Sequence, residues 1–153
     1  PKIKMAKKTT RQVWIGDPCY VVPNSAWQEL LDETRYFNYF ITDEQQATNS
    51  KPMQGGTFKV QINGWECTLA CHSTEHGDGR YEDLEDRTYP VDSGSLSVWF
   101  VDELNAAWVT MPEGTLESSG HIVEVPADYV PEVTYQDGTL DFGPVEIDTG
   151  WED

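Results

Sequence analysis

The stretch TFKVQINGWECTLACH, residues 57–72, constrains the fold most, because its alternation and its turn chemistry predict the same hairpin. Asn63-Gly64 suits a two-residue type I′ turn, in which both central residues take positive φ. The apolar residues then pair on one face of the hairpin, Ile62 with Trp65, Val60 with Cys67 and Phe58 with Leu69. The polar residues between them fall on the other face, so pattern and turn agree on one register.

Other stretches of the chain extend this into a sheet. QVWI, SLSVWFV, HIVEV and PVEID are typical of strands, and VTYQDGTLDF predicts a second hairpin around Asp137-Gly138. DELNAAWVTM fits either a helical turn or a strand. One helix is predicted after a cap at Asn24 or Ser25, with a buried stripe of Trp27, Leu30, Leu31 and Thr34.

These elements predict a single α+β domain, mainly antiparallel β-sheet with one or two helices. The aromatic content, 12% of the residues, favours a packed core over disorder. The predicted core residues are Val13, Ile15, Trp27, Leu30, Leu31, Phe58, Val60, Ile62, Trp65, Cys67, Leu69, Val98, Phe100, Val123 and Val125.

The net charge of −17 is distributed unevenly along the chain. Five of the ten basic residues lie within residues 1–11, and from Gln12 onward five basic residues oppose 27 acidic ones. We therefore predict a flexible basic N-terminal tail at residues 1–11 and a single acidic domain at residues 12–153. The MAKK pattern further suggests Met5 as a natural start. An acidic domain of this charge repels nucleic acid and anionic membranes, which argues against either as a direct partner. It attracts a basic protein surface or a cation, and we favour these as partners.

The stretch HGDGRYEDLEDRTYPVDSG, residues 76–94, concentrates this charge and reads as a connecting loop. We predict that Glu82, Asp83, Glu85 and Asp86 bind a partner, because they cluster within five positions. Further carboxylates alternate with apolar residues near the C-terminus, which gives strands one acidic solvent face. These carboxylates are Asp141, Glu146 and Asp148. Rows of this kind approximate the charge spacing of a nucleic-acid backbone. The alternative is an acidic surface that only keeps the protein soluble, as in a saline host.

Two histidines and two aspartates at the edges of this stretch are candidate ligands for Zn²⁺, Mn²⁺ or Fe²⁺, namely His72, His76, Asp78 and Asp92. The alternative is that Gly77-Asp78-Gly79 is a tight turn whose carboxylate bonds its own backbone, so no metal and no other cofactor is assigned. Cys67 and Cys71 are about 13 Å apart on an extended strand, too far for one tetrahedral ion or a disulfide, and are predicted as core residues. Cys19 is interpreted as a turn residue with a small, buried side chain rather than as a nucleophile.

WIGDPCYVVP at residues 14–23 and HGDGRY…YPVDSGSL at residues 76–96 resemble motifs of small uncharacterised proteins of bacteriophages and bacteria. The resemblance covers about a third of the chain. It implies a small, phage-encoded domain and carries no established activity or catalytic residue. Physically, the motifs are turn chemistry, and we expect Asp17, Asp78 and Asp92 to bond loop backbones together into a rigid network.

The functional expectation is a non-catalytic, phage-type accessory protein whose acidic body binds a basic surface of a host protein. Such a protein could imitate nucleic acid and inhibit a host nucleic-acid-handling or defence enzyme. One alternative is a metal-dependent hydrolase that uses His72, His76, Asp78 and Asp92. Another is a virion structural or assembly protein. The odd number of cysteines and the lack of an apolar leader or membrane-spanning run predict the cytoplasm. The oligomeric state is left open.

Overall fold

The computed structural model describes residues 9–34 and 55–150, and this part of the chain forms ten strands and three helices. The strands are β1 (Thr10–Gly16), β2 (Gly55–Ile62), β3 (Trp65–Ser73), β4 (Gly79–Asp83), β5 (Thr88–Val91), β6 (Ser95–Phe100), β7 (Gly120–Pro126), β8 (Thr134–Gln136), β9 (Thr139–Asp141) and β10 (Glu146–Asp148). The helices are α1 (Asn24–Thr34), α2 (Val101–Ala107) and α3 (Thr115–Ser119), and a 3₁₀ turn covers Pro18–Tyr20.

The strands form two antiparallel sheets, which confirms the predicted α+β class. Sheet A has the order β2-β3-β6-β1-β7, and sheet B has the order β5-β4-β10-β9-β8. The predicted tail, residues 1–11, is described only from residue 9 onward. Because β1 includes Thr10 and Arg11, sheet A begins two residues before the boundary predicted at Gln12.

Sheet A is the middle of three layers, because a separate apolar cluster covers each of its faces. Trp14 and Trp99 point towards the layer of helices, whereas Val13, Ile15 and Val98 point towards sheet B. All six residues of β6 are buried, so this strand has no solvent face. A strand covered on both sides reads as a run of apolar and small residues, which is how SLSVWF appears.

Both predicted hairpins form with the predicted turns. Ile62 pairs with Trp65, Val60 with Cys67 and Phe58 with Leu69, as the alternation required. At the tip, Asn63 and Gly64 have φ values of 52° and 83°, and Asp137 and Gly138 repeat this geometry at 49° and 85°. Positive φ at both central positions is the requirement of a type I′ turn.

One member of the predicted core is exposed. Trp65 keeps 58% of its surface accessible, although Cys67, on the same face, is fully buried. The register is therefore right and the burial of Trp65 was predicted wrongly. Trp65 directly follows the turn, at the end of the sheet, where a large ring has fewer neighbours. Four further predicted core residues are half-buried: Trp27, Phe58 and Val123, which pack against the clusters, and Leu31 on α1.

The largest departure from the sequence prediction lies within residues 79–91. This part of the predicted loop forms strands β4 and β5, which pair from Gly79 opposite Val91 to Glu82 opposite Thr88. Tyr81 and Tyr89 face each other in the pair and are fully buried. DELNAAWVTM, which fitted either a helical turn or a strand, supplies helix α2.

Candidate functional site

The four acidic residues predicted to bind a partner do not form one mobile loop. Glu82 and Asp83 lie on β4, and Glu85 and Asp86 lie in the turn that leads to β5. Asp86 takes a φ of 63°, and its backbone N–H donates to the Asp83 carbonyl, so the turn has a defined shape. A turn with a defined backbone lowers the ordering cost of binding.

Asp83 is buried, and its prediction as a partner-binding residue is wrong. Its carboxylate accepts hydrogen bonds from the backbone N–H groups of Glu85 and Arg87, at 2.8 and 3.0 Å, and from the Arg87 guanidinium and the Tyr89 hydroxyl, both at 2.7 Å. Burial raises the pKa of Asp83, but the bonds from Tyr89, Arg87 and Glu85 outweigh burial and leave this pKa below its usual value. Asp83 therefore holds the turn together.

The outer face of sheet B forms an acidic surface. Tyr81, Leu140 and Ile147 point inward to the core, so the residues that alternate with them point outward. The acidic sheet face, as we name it, consists of Glu82, Asp141, Glu146 and Asp148, with Arg80 at one side.

Strand register places these carboxylates directly opposite one another. Asp148 of β10 faces Glu82 of β4, and Glu146 faces Asp141 of β9. Opposed residues on adjacent antiparallel strands have Cβ atoms about 4.5–5.5 Å apart, and like charges there destabilise the sheet. The acidic sheet face therefore concentrates negative charge at a cost in folding free energy.

A groove of about 290 Å³ lies beside the acidic sheet face, between the β4–β5 turn and residues 143–146. Its lining includes Glu85, Glu146 and Leu84, and Leu84 is 76% exposed. Arg87 also lines the groove but is paired with Asp83 and Glu85, at 2.7 Å each. This exposed leucine among carboxylates offers apolar surface that a partner can bury.

Asp17 performs the loop-bonding role predicted for it. The side chain is completely buried, and it accepts hydrogen bonds from the backbone N–H groups of Cys19, Asp92 and Ser93 and from the Ser93 hydroxyl, at 2.5–2.8 Å. These bonds join the turn after β1 to the turn before β6. The two motifs GDPCY and VDSG therefore meet in space through one carboxylate.

Asp92 and Asp78 differ from Asp17 in their surroundings. The Asp92 carboxylate accepts a short hydrogen bond from the Tyr20 hydroxyl, so Asp92 also ties the two motif loops together. Asp78 is exposed, and within residues 9–34 and 55–150 no hydrogen bond to its carboxylate is seen. The predicted network is thus carried by Asp17 and Asp92.

Three of the four candidate metal ligands, His72, His76 and Asp92, contact different partners. The His72 ring stacks on Tyr135 with centroids 5.1 Å apart, and its Nδ1 lies 2.8 Å from the Ser73 carbonyl. The His76 Nε2 lies 2.8 Å from the Gly150 carbonyl. In the part of the chain that the structure describes, no group of three or more histidine, cysteine, aspartate or glutamate side chains is placed to hold a metal ion.

The three cysteines carry free thiols in non-nucleophilic surroundings. Cys67 and Cys71 are buried in the cluster between sheet A and the helices, and burial raises the pKa of Cys67 to about 12. Burial, with the negative charge of Asp17 beside it, also raises the pKa of Cys19 far above its usual value. A thiol held in its neutral form is a poor nucleophile.

The residues that sequence reasoning placed separately are the ones that sheet B brings together. The alternation around Asp141, Glu146 and Asp148 indicated an outward acidic face, but it could not show that β10 pairs with β4.

None of the helices among the described residues is long and apolar enough to cross a membrane. Comparison with known proteins finds no family model, no curated protein and no solved structure that matches this chain. The resemblance carried by the two motifs stays a prediction.

Proposed function

We propose that this protein is a non-catalytic binding protein whose acidic sheet face docks on an arginine- and lysine-rich surface of another protein. The observation that carries the proposal is the register of sheet B, which sets Asp148 against Glu82 and Glu146 against Asp141. Like charges directly opposite each other on adjacent strands destabilise a sheet. Residues that disfavour folding in this way tend to occur at functional sites. A basic partner relieves the repulsion on binding, which adds to the attraction between the two surfaces.

The chemistry of this surface favours a partner that normally binds nucleic acid. Carboxylates repeat about every 6.6 Å along a strand and about every 5 Å between strands, so a cation-lined groove meets a dense array of anions. Long-range attraction of this kind raises the association rate and weakens as salt is added. We propose that the protein occupies the nucleic-acid-binding surface of a host enzyme, in the cytoplasm of a bacterium that a phage infects.

The turn residues complete the proposed surface. Glu85 and Asp86 are exposed on the fixed β4–β5 turn, and Leu84 and Glu85 line the groove beside it. Exposed ion pairs contribute only about 0–1 kcal/mol each, so charge alone supports rapid, weak binding. Burial of Leu84 against the partner contributes a further ~1.5–3 kcal/mol and lengthens the lifetime of the complex.

A capture experiment with three baits tests the proposal. The baits are the parent protein, an acidic-face variant (E82Q/D141N/E146Q/D148N) and a charge-matched control (E29Q/E33Q/D128N/E132Q). Asparagine keeps the side-chain oxygens that accept from Gly143 N–H and Gly150 N–H, so the turns of sheet B are retained.

We expect one bacterial protein to be retained at low salt by the parent and by the control, and to be lost from the acidic-face variant. Its retention by the parent should fall at high salt. Equal retention by all three baits would assign the binding to another surface. A partner without a basic patch would contradict the proposed chemistry.

A further inference from the structure

A second surface on the opposite side of the molecule carries an apolar groove with an acidic rim. Sheet B covers one side of sheet A, and helices α2 and α3 cover the other. Between these helices lies a groove of about 460 Å³, within the size range of ligand pockets. Its apolar lining includes Trp108, Met111, Leu116 and Ile122.

The rim of this groove combines exposed apolar surface with negative charge. Val109 is 83% exposed, the largest such fraction among the exposed large apolar residues of the described chain. Glu113 and Glu117 line the groove, and no lysine or arginine does. Glu124 lies on the same face of sheet A as Ile122 and opposite Gln12, another lining residue. Among the described residues, none of these three glutamates forms an ion pair.

The segment between α2 and α3 is folded before any ligand arrives. The Trp108 N–H donates to the Leu104 carbonyl at 2.9 Å, the Met111 N–H to the Trp108 carbonyl at 3.1 Å, and the Thr115 N–H to the Pro112 carbonyl at 3.2 Å. These bonds give the groove a fixed wall, so a ligand need not order it. Methionine and tryptophan in the lining provide adaptable apolar contacts.

We propose that this groove binds a basic amphipathic helix of a partner protein. The apolar anchors of the helix enter between Trp108, Met111 and Ile122, and its lysine or arginine side chains meet Glu113, Glu117 and Glu124. Most of the groove wall comes from α2, α3 and the segment between them, and Ile122 is its only lining residue from the edge strand β7, which favours a helix docked through its side chains over a peptide added to a strand edge. A second copy of this chain is a poor occupant, because its net charge of −17 is repelled by the same rim.

Two synthetic helix-forming peptides of the same leucine and lysine composition test this proposal. One has its leucines on a single face, and the other has them scattered around the helix. NMR titration of the full chain should place the shifts caused by the first peptide at Trp108, Met111 and Ile122. We expect the scattered peptide to bind at least about tenfold more weakly, which corresponds to about 1.4 kcal/mol.

Matched substitutions separate the groove from general attraction to an acidic protein. V109S should weaken binding of the amphipathic peptide by about tenfold, whereas V130S, at another exposed valine, should leave it unchanged. E113Q/E117Q should weaken binding and flatten its salt dependence more than D128N/E132Q does. All six substituted positions are exposed, so we expect folding to be retained.

Several outcomes would overturn the proposal. Equal affinity for the two peptides, or equal effects of V109S and V130S, would show that only net charge is recognised. If removal of residues 1–8 tightened peptide binding manyfold, the occupant of the groove would be the chain's own lysine-rich segment. Self-association that V109S abolishes would make it a second copy. The acidic-face variant should bind the peptide as the parent does, so this groove and the acidic sheet face can fail independently.

Discussion

Asp17 is the residue whose side chain holds most of the loop architecture. Four donors converge on its buried carboxylate, three of them backbone N–H groups from two distant loops. D17A should therefore lower the free energy of unfolding by ~3 kcal/mol or more, because buried donors lose a charged acceptor. D78A, which removes an exposed carboxylate, should change it by less than ~0.5 kcal/mol. Urea denaturation measures both, and equal effects would contradict the assignment of the network to Asp17.

His72 gives the fold a dependence on pH. Burial lowers the pKa of His72, although the Ser73 carbonyl bond opposes this, so the folded state favours the neutral ring stacked on Tyr135. The unfolded state, with a pKa of about 6.5, then binds more protons as pH falls. This contribution to stability is complete above about pH 6.5 and is lost as pH falls towards the lower folded value.

The carboxylate at Glu75 is the charged group next to this stack, through its hydrogen bond from the Tyr135 hydroxyl. Relief of acidic repulsion changes stability in the opposite direction over the same pH range, so the parent is compared with H72Q. As the pH falls from about 8 to about 5, the unfolding free energy of the parent should decrease relative to that of H72Q. A difference that is constant over this range would show that His72 does not titrate on unfolding.

At the scale of elements, turn residues and strand alternation predicted the two hairpins, because local interactions determine a hairpin. The two hairpins follow from Asn63-Gly64 and Asp137-Gly138, because a type I′ turn sets the register of the strands beside it. The sequence did not predict strand β4, because one of its inward side chains, Asp83, is charged and a charged residue is expected at the surface. Its burial depends on Tyr89 and Arg87, a set of contacts that alternation cannot show.

The candidate site was predictable in part for the same reason. The residues Glu82, Glu85 and Asp86 stand out by local charge, and the outward alternation of Asp141, Glu146 and Asp148 is visible in the sequence. Their assembly into one face depends on the pairing of β4 with β10, which lie more than sixty residues apart along the chain. Pairing at such distance is decided by the shared core under sheet B.

The contact of β1 with β7 depends on two facing glycines. Gly16 lies opposite Gly120, and a Cβ atom added at Gly120 would come within 2.3 Å of the Ile15 carbonyl oxygen and 2.7 Å of the Trp14 ring. Because the nearest of these atoms is backbone, the strands must separate to admit a methyl group. G120A should destabilise the protein by ~1–3 kcal/mol, measured by thermal or urea unfolding. S118A, two residues away and exposed, is the control, and an equal effect would argue against close strand approach.

At the scale of the whole molecule, charge repulsion limits stability. The described residues contain many more carboxylates than cations, and the sheet B register opposes four of them. Added sodium chloride should raise the Tm, because screening weakens the repulsion. At low salt, the acidic-face variant should melt above the charge-matched control. Equal melting temperatures would show that the opposed carboxylates do not lower stability.

Native mass spectrometry of the parent tests the alternative of a virion structural protein, because that alternative requires self-association.

The central claim is that the acidic sheet face occupies a basic, nucleic-acid-binding surface of a partner. Fluorescence anisotropy of a labelled DNA duplex bound to the captured partner tests it most directly. The parent protein and the charge-matched control should displace the duplex, with displacement weakening as salt rises, and the acidic-face variant should displace it far less. Displacement by all three proteins alike, or by none of them, would contradict the claim.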